Sequence, residues 1–578
     1  SDSLPNKWQD STNPEKGMAY ILKRIEEQIR DTVEISTNLP HINCPWCGGN
    51  LFVDNQLKNI SPHWSKNYGI NDELSIGCNS KGCVFNDETL GVSNENCLPL
   101  RLFDEDIYKF PPTLLFGTVD KFAVLSNSID TNTEGRNKDS RRLFGTGCNQ
   151  NFLPPDLIIQ DELHLLLGPL GSAVGLYEKA IDDLCSRTDE NGFIVKPKII
   201  TSTATTRNTD AQIFALFNRR SEIFPKQGIQ IDDSFFSNYK RNPVNDEYIS
   251  LRKYLGFLPV GKTQVWMQMR LASIALAHRL KFIEENFTIE SVLREEGDYL
   301  SQSLVLDYFH TILSYYNSIK EVGKTQSQLS HYLPGDLNLV IKNTTNWSIL
   351  NSYLRGRDTI EYSELTGRLS GKEVRMNFEY VKKQWELFSK DNPPEFVIAT
   401  NMISVGLDIP RFNTMIINSM PRNTAEYIQS SSRVSREREG IVLTVHHPFR
   451  SRDISHYQRF KEFHEKFYSS VEPISITPFA QKALEKYLAM YLAAVIRNDV
   501  NLGLGNNSDA RKINADLINK IIKKTDAYFN QIHNNVNCLN KYLQTRNNGI
   551  HIRIHGVIGK DELHNVLNKT KELLFQRW

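Results

Sequence analysis

The stretch DLIIQDELH, residues 156–164, decides the fold of the first half of the chain. Its apolar run LII, residues 157–159, is typical of a strand buried on both faces of a parallel sheet. Asp161 and Glu162 follow at the carboxyl end of that strand, where open α/β sheets bind their ligands. One carboxylate can hold Mg²⁺ and the other can polarise an attacking water. The stretch therefore predicts a site for metal-assisted nucleotide chemistry.

Three later segments strengthen this prediction. KIITSTATT, residues 198–206, is a second apolar strand pattern that ends in small hydroxyl residues. EFVIATNMISVGLDIPR, residues 395–411, is a third, and it runs into a glycine and then an aspartate. In AEYIQSSSRVSRER, residues 425–438, Arg433 and Arg436 would share one helix face if the segment is helical.

In this order the four segments resemble motifs II, III, V and VI of superfamily two helicases, and TLLFGTVDKF, residues 113–122, resembles the strand and loop of motif Ib. The longer strings CPWCG, PTLLFGTVDKFA, DLIIQDELHLLLGPLGS, YYNSIKEVG and EYIQSSSRVSR resemble the DrmA family, the helicases of the DISARM anti-phage system. The resemblance runs from about Cys44 to past Pro478. It implies an α/β fold of two RecA-like domains, with a zinc-ribbon insertion and an α-helical C-terminal region.

The resemblance also implies residue roles. Asp161 would organise Mg²⁺ on ATP, and Glu162 would activate the hydrolytic water. Arg433 and Arg436 would reach the γ-phosphate, since a planar guanidinium suits phosphate oxygens and stays charged. The other implied roles are linking the nucleotide to the other domain (His164, Gln429), coupling hydrolysis to strand binding (Ser202, Thr203), holding ATP and its ribose (Gly406, Asp408) and contacting nucleic acid (Thr118, Lys121, Ser404).

Two cysteine pairs predict a metal site. Cys44 and Cys47 stand in CPWCGG, and Cys78 and Cys83 stand in CNSKGC. Four thiolates in two short-range pairs suit tetrahedral Zn²⁺, and the glycines beside them allow tight turns. The zinc could staple a small ribbon only, or the ribbon could also contact nucleic acid or a partner protein.

A helicase of this kind needs a phosphate-binding loop before motif II, and no G-x-x-x-x-G-K-[S/T] precedes Asp161. The formal match GFLPVGKT, residues 256–263, comes after motifs II and III and follows LRKYL rather than an apolar strand. We interpret it, and the bare GKT of residues 323–325 at an apparent helix end, as unrelated to ATP binding. Because the chain also lacks an initiator Met, we expect a C-terminal portion of a longer helicase, or a separate subunit that supplies the loop.

The pattern along the chain divides it into five regions. The predicted regions are an N-terminal helical segment (1–40), the zinc-ribbon insertion (41–105), the rest of the first RecA-like domain with motifs Ib, II and III (106–240), the second RecA-like domain with motifs IV, V and VI (245–470) and the α-helical C-terminal region (471–578). The strand of motif IV lies in HTILSYYNSIKE, residues 310–321, or in LNLVIKN, residues 337–343, and the sequence does not rank them.

Composition limits the class of protein. The 578 residues are 40% hydrophobic and 23% charged, and 68 basic residues balance 67 acidic ones to a net charge of +1. These values fit a globular protein and exclude a polybasic coat. No apolar run reaches the roughly 18 residues that a membrane span needs, and the N-terminus lacks a signal-peptide core. Eight cysteines without a secretion signal indicate a reducing compartment, so we expect a cytoplasmic protein with no membrane association.

The function expected from these observations is an ATP-dependent DNA helicase or translocase core. Its cofactors would be ATP, Mg²⁺ and Zn²⁺. Its partners would be DNA that is single-stranded or has a single-stranded end, a DrmB-type subunit and the missing N-terminal part of the same protein. Two alternatives stay open: a non-hydrolysing fragment that binds DNA and a partner, and an RNA helicase.

Overall fold

The structure is a computed structural model of the chain. It describes residues 8, 13–30, 43–49, 77–78, 80, 82–86, 98–123, 129–130, 138–145, 153–163, 168–203, 209–226, 229, 236, 238–286, 299–344, 360–386, 389, 391–401, 409–472, 477–499, 502, 515–546 and 557–576.

The described residues form strands and helices in alternating groups. In chain order the strands are β1 (Ile129–Asp130), β2 (Lys138–Asp139), β3 (Leu157–Gln160), β4 (Arg187–Thr188), β5 (Ile194–Val195), β6 (Lys198–Thr201), β7 (Arg252–Phe257), β8 (Ile312–Tyr316), β9 (Tyr362–Leu365), β10 (Phe396–Ala399), β11 (Thr414–Asn418) and β12 (Gly440–Val445). The helices are α1 (Met18–Arg30), α2 (Asp104–Lys109), α3 (Val119–Ala123), α4 (Gly168–Cys185), α5 (Thr209–Phe217), α6 (Gln264–Asn286), α7 (Tyr299–His310), α8 (Ile319–Thr344), α9 (Gly371–Lys382), α10 (Thr424–Ser431), α11 (Ser451–Gln458), α12 (Phe460–Glu465), α13 (Gln481–Arg497), α14 (Ala515–Arg546) and α15 (Lys560–Gln576). Short 3₁₀ turns occupy Pro14–Lys16, Ser140–Phe144 and Phe467–Ser470.

The chain divides into two compact units. Unit 1 comprises Ser1–Glu222 together with Pro473–Trp578, and unit 2 comprises Ile223–Glu472. Together they have the α/β class that the sequence predicts, with parallel strands, a cysteine cluster near the start and helices at the C-terminal end.

Unit 2 is built on a six-stranded sheet of order β7-β12-β11-β8-β10-β9, in which every neighbouring pair is parallel. All residues of β8, β10 and β11 are buried. Continuous apolar runs form such strands because helices cover both faces of a parallel sheet. The apolar strand predicted within residues 395–411 is therefore confirmed as β10.

Only one of the two candidate segments for the motif IV strand forms a strand. β8 lies within the first candidate segment, whereas residues 337–343 of the second lie inside α8, so a strand there is wrong. Leu329, Leu333 and Leu337 are buried at four-residue intervals, with Val340 and Ile341 continuing the stripe. That spacing places them on one helix face, which packs into the core beside α6. A seven-residue string alone could not reveal this period.

In unit 1, the described strands beside the predicted acidic pair are β3 and β6. They pair in parallel with Gln160 opposite Thr201. Leu157 is 45% exposed and Ile159 is 62% exposed, so burial of this strand on both faces is wrong for the described structure. The inward residues Ile158 and Ile199 instead contact the helix cores on one side. Each side of β3 therefore has a different environment.

Helix α4 joins these strands to the C-terminal helices. Its buried residues Leu176 and Ala180 share one core with residues of α13, α14 and α15. A charged cluster lies along the same helix, where Lys179 pairs with Asp183 and Asp182 pairs with Arg219. The Tyr491 hydroxyl of α13 donates to an Asp183 carboxylate oxygen at 2.7 Å. Hydrogen-bonded pairing of this kind is what allows charges to be buried.

The N-terminal helix packs beside the cysteines. Met18, Leu22 and Ile25 of α1 form a core with Cys44 and Cys78, together with Leu98, Leu102 and Phe103. Because this core is small, a bound metal would add to its stability.

The segment of motif Ib differs from its prediction. Residues 113–118 lie in an exposed loop before α3, and no strand pairs with them among the described residues. Phe116 is 86% exposed and Leu114 is 64% exposed. The strand of the prediction is therefore wrong, since apolar character alone cannot form a strand without a partner edge.

Candidate nucleotide and metal sites

The structure brings the four predicted cysteine ligands together. The sulfur atoms of Cys44, Cys47, Cys78 and Cys83 all lie within 4.8 Å of one another. A tetrahedral Zn²⁺ with Zn–S bonds of about 2.3 Å would place its sulfur ligands roughly 3.8 Å apart. The Sγ atoms of Cys47 and Cys78 are already 3.5 Å apart. The cluster therefore fits a zinc ion in both geometry and ligand chemistry.

The glycines beside the cysteines have the predicted turn conformation. Gly48 has φ of +75° and Gly82 has φ of +85°, a region that favours glycine. At Gly49 an added Cβ would collide with the Ser80 side chain and lie 3.4 Å from the Cys47 sulfur. The backbone N–H of Ser80 points at the Cys78 sulfur at 3.4 Å. Two tight turns therefore aim backbone donors and thiols at one point.

The thiol pKa values diverge within the cluster. The backbone N–H of Gly49 lowers the pKa of Cys47 to about 6. Burial raises the pKa of Cys78, and burial also raises the pKa of Cys83 to about 12. Neighbouring thiolates repel one another, so all four ionise together only with a cation among them.

The predicted acidic pair lies at the carboxyl end of β3. The Ser202 hydroxyl donates to Asp161 Oδ1, and the backbone N–H of Glu162 donates to the same oxygen at 3.0 Å. The strand pairing continues through Ser202, whose carbonyl accepts from the Leu163 N–H at 3.0 Å. Residues of predicted motifs II and III therefore meet because β3 and β6 are parallel neighbours.

Glu162 has an uncommon backbone conformation. Its φ is +54°, in the left-handed region that few residues other than glycine adopt. Such strain occurs where the surrounding structure holds a residue for a particular task. Asp161 is exposed and Glu162 is half-buried. Thr203 follows Ser202 and is half-buried.

In unit 2, the predicted motif VI residues lie on α10 and on the turn after it. Gln429 is buried on the helix, whereas Arg433 and Arg436 follow its end at Ser431. The segment is therefore not helical at the two arginines, so the shared helix face that was expected for a helical segment does not form. The serine hydroxyls explain the helix end, because they donate to carbonyls three or four residues earlier and compete with the helical ladder.

The turn itself is held by backbone contacts. Ser435 has φ of +56° and its N–H donates to the Phe412 carbonyl at 2.8 Å. Arg436 Nε donates to the Ser432 carbonyl at 3.4 Å. The two guanidinium groups therefore project from a fixed turn rather than from a continuous helix.

Two predicted nucleic-acid residues lie in unit 1. Thr118 is exposed and its carbonyl accepts from the Lys121 N–H at 2.9 Å. Lys121 Nζ pairs with Asp104 of α2 at 3.2 Å. The lysine thus has a structural partner within its own unit. The other predicted site residues, His164, Ser404, Gly406 and Asp408, lie outside the described residues.

The formal phosphate-loop match has an unexpected setting. LRKYLGF contains strand β7, and the loop after it leads into α6, so the absence of a strand there is a wrong prediction. β7 is an edge strand that begins with two basic residues, Arg252 and Lys253, so its segment does not resemble an apolar run. Lys262 lies over the Trp266 ring at 5.4 Å, and a Cβ at Gly256 would meet the Phe460 ring at 2.7 Å. The GKT of residues 323–325 lies within the first turns of α8 rather than at a helix end.

Sequence reasoning missed a polar group at the carboxyl ends of β8 and β11. Asn317 Nδ2 donates to the carbonyls of Asn418, Ser419 and Met420 at 3.2–3.4 Å. Arg450 pairs with Glu321 at 3.2 Å beside it. The position of Asn317 directly after an apolar strand was the available signal.

The comparisons with known proteins agree with this arrangement. Residues 324–438 match the helicase conserved C-terminal domain. Residues 324–438, which lie in unit 2, are therefore similar to the C-terminal domain of helicases.

Most of the sequence is also similar to a DrmA protein. It is 31% identical over 542 residues to the DISARM protein DrmA of Bacillus paralicheniformis. The aligned residues make up 90% of this chain and 44% of that protein. The chain thus spans less than half the length of this relative.

Solved helicase structures also match. The DUF1998 helicase MrfA bound to DNA is 16% identical, with 65% of this chain and 38% of that chain covered at a TM-score of 0.41. The helicase Lhr of Mycobacterium smegmatis bound to single-stranded DNA and AMP-PNP is 12% identical. The match covers 68% of this chain and 40% of that chain, with a TM-score of 0.40. Among the described residues of this chain, no helix has the length and apolar character that crossing a membrane would require.

Proposed function

We propose that the chain is the core of an ATP-dependent DNA helicase or translocase of the DISARM defence type. The observation that carries this proposal is the hydrogen bond from the Ser202 hydroxyl to the Asp161 carboxylate, at the carboxyl ends of adjacent parallel strands. A carboxylate at this edge can organise a metal nucleotide. Because the Ser202 hydroxyl donates to Asp161, its hydrogen bond would change when the Asp161 carboxylate gains or loses a ligand.

In this proposal the two acids have separate tasks. Asp161 would hold Mg²⁺, and the bound ion would supply positive charge that offsets the charge of the ATP phosphates. Glu162 accepts a proton from the attacking water as the new bond to the γ-phosphorus forms. The bond from that phosphorus to the bridging oxygen then breaks, and ADP leaves with the electron pair. The left-handed backbone conformation of Glu162 supports a special task for this residue, because such strained conformations cluster at active sites.

The arginines and the other motif residues complete the proposed reaction. Arg433 and Arg436 stabilise charge on the phosphates, since guanidinium groups stay charged and donate in a planar fork. Gln429, His164, Gly406 and Asp408 contact the nucleotide. Thr118, Lys121 and Ser404 contact the DNA, and Ser202 with Thr203 couples the two events.

The cysteine cluster would hold a structural zinc ion. Its thiolates converge within 4.8 Å and share a core with α1, which supports a stabilising role for the metal. We also propose a DrmB-type protein as the partner subunit, on the strength of the similarity to DrmA.

The test is ATP turnover by this chain, with and without single-stranded DNA, beside Glu162→Gln. Glu190→Gln is the matched control, because Glu190 is an exposed glutamate of the same unit. DNA-stimulated turnover that is lost only in Glu162→Gln supports the proposal. DNA binding without turnover would favour a fragment that binds DNA and leaves hydrolysis to residues elsewhere.

Competition between single-stranded DNA and RNA of one sequence tests the substrate class. Preferential displacement by RNA would favour an RNA helicase. Lys262→Ala is added to the ATP turnover assay. Loss of turnover in that variant would mean that the GFLPVGKT segment binds phosphate.

A further inference from the structure

Unit 2 contains a cavity that is lined mostly by residues outside the segments assigned to the helicase motifs. Its volume is about 700 Å³, and it lies beside the edge strand β7, the helix α10 and the segment of residues 464–469. Tyr254 and Arg252 line it from β7, whereas His464, Lys466 and Tyr468 line it from the facing segment. A cavity of this size suits a small organic ligand or one unit of a polymer.

The inner wall of the cavity is aromatic and uncharged. The Tyr254 ring lies 4.7 Å from the His464 ring and 5.6 Å from the Phe467 ring. His464 Nδ1 donates to the Phe460 carbonyl at 2.7 Å, and its Nε2 lies 3.1 Å from the Tyr427 hydroxyl. Burial lowers the pKa of His464, so the ring is neutral at physiological pH. These contacts hold the wall in place before any ligand arrives.

The rim carries rings and cations together. Tyr239 is 61% exposed and Tyr468 is 66% exposed. Lys466 is exposed beside them, and Arg252 is half-buried. The carboxylate of Glu465 also lines the cavity, but it lies 3.9 Å from Lys461, which offsets its charge. The lining therefore has a net positive character.

We propose that this cavity binds one nucleotide, with the base among the tyrosine rings and the phosphate at Arg252 and Lys466. Rings stack on any base, and cations track the phosphate, which is the combination found in sites for single-stranded nucleic acid. An inorganic phosphate would leave the rings unused, and a purely apolar ligand would leave the cations unused. The nucleotide belongs either to a DNA strand or to a free mononucleotide.

The cavity is connected to the turn that carries the arginines. Arg252 Nε donates to the Val434 carbonyl at 2.9 Å, between Arg433 and Ser435. A phosphate on the same guanidinium would therefore bear on that turn. This link makes the cavity a candidate effector site for hydrolysis, but binding itself requires neither Asp161 nor Glu162. Failure of the proposed ATPase reaction would thus leave this inference open to its own test.

The test compares two probes on the full chain: a fluorescent oligothymidylate and free dTMP. Tyr239→Ala, Tyr468→Ala and Lys466→Ala change exposed residues, so they should fold normally. We expect each to weaken binding of at least one probe by about tenfold, in line with the loss of one stacked base or phosphate contact. Tyr332→Ala is the matched tyrosine control, at 61% exposure on α8. Lys253→Ala is the lysine control. Lys253 follows Arg252 on β7, and because adjacent strand residues point to opposite faces, its side chain does not line the cavity.

Photocrosslinking with 5-iodouracil in the oligonucleotide locates the contact directly. Weakened oligonucleotide binding with crosslinks at residues 464–469 or at Tyr239 supports a strand as the source. Weakened dTMP binding alone supports a free nucleotide. Unchanged affinity for both probes in all three variants, or no binding of either probe by the unaltered chain, overturns the proposal.

Discussion

Replacing Glu178 by glutamine should stabilise unit 1 at alkaline pH. Glu178 lies on α4 and is buried. Burial raises the pKa of its carboxyl from 4.5 to about 7, and the nearby Asp182 adds to the rise. The folded chain therefore prefers the protonated form, whereas the unfolded chain ionises it in weak acid.

The direction of the pH dependence follows from this difference. Because the folded-state pKa is the higher one, the favourable contribution of the protonated carboxyl is fully present below pH 4.5. It is lost as the pH rises through about 7. The rise in pKa corresponds to about 3 kcal/mol of unfolding free energy. Glutamine keeps the shape of the protonated acid and cannot ionise, so it should recover most of this amount at pH values above about 7.

Hydrogen exchange of the α4 amides measures this stability within unit 1 alone. The pH dependence of their opening free energy should flatten in Glu178→Gln. Glu190→Gln, an exposed glutamate of the same unit, should retain the dependence of the unaltered chain. An equal slope in all three proteins, or lower α4 stability in Glu178→Gln at alkaline pH, would refute the reasoning.

Three further predictions concern the metal cluster and unit 2. Gly49→Ala should reduce zinc affinity about tenfold in a competition titration, because the added Cβ would displace Ser80. Gly48→Ala is the control for backbone strain, since an added Cβ there meets open space. Equal losses of zinc affinity in the two variants would contradict the steric reason. Chelation of bound zinc should increase hydrogen exchange in α1, which shares a core with two of the cysteines, and unchanged protection there would argue against a structural metal. Arg279→Ala should destabilise unit 2 by about 3–5 kcal/mol in denaturant unfolding. The Arg279 guanidinium lies 2.7 Å from the buried Glu395 carboxylate, which would lose its partner. A loss below about 1 kcal/mol would show that water replaces the arginine.

The predictable part of the structure is the part that local chemistry determines. Strand β10 is a continuous apolar run, and such runs have few other stable environments. The cysteine pairs converge as predicted because glycine turns leave thiols few directions in which to point. The meeting of Ser202 with Asp161 follows from parallel strands that end at one edge.

The wrong predictions depended on partners that the sequence does not show. The turn at Arg433 arises because several serine hydroxyls compete for helix carbonyls, an effect that a periodic pattern does not register. Strand β7 lies at the edge of its sheet and begins with two basic residues, so its segment did not resemble a buried strand. The exposed residue Ile159 reflects which neighbours cover β3, and this is a long-range property.

The composition of unit 1 from two distant parts of the chain affects how it is made. The Ser140 hydroxyl donates to the Asn498 side chain across 358 residues of sequence. At about 5–20 residues per second, a ribosome needs roughly 20–70 seconds to synthesise the intervening segment. All of unit 2 is synthesised within that time. The apolar face of α4 stays without its packing partner α13 until the later segment has been made. Unit 1 should therefore depend on chaperones during synthesis more than unit 2 does.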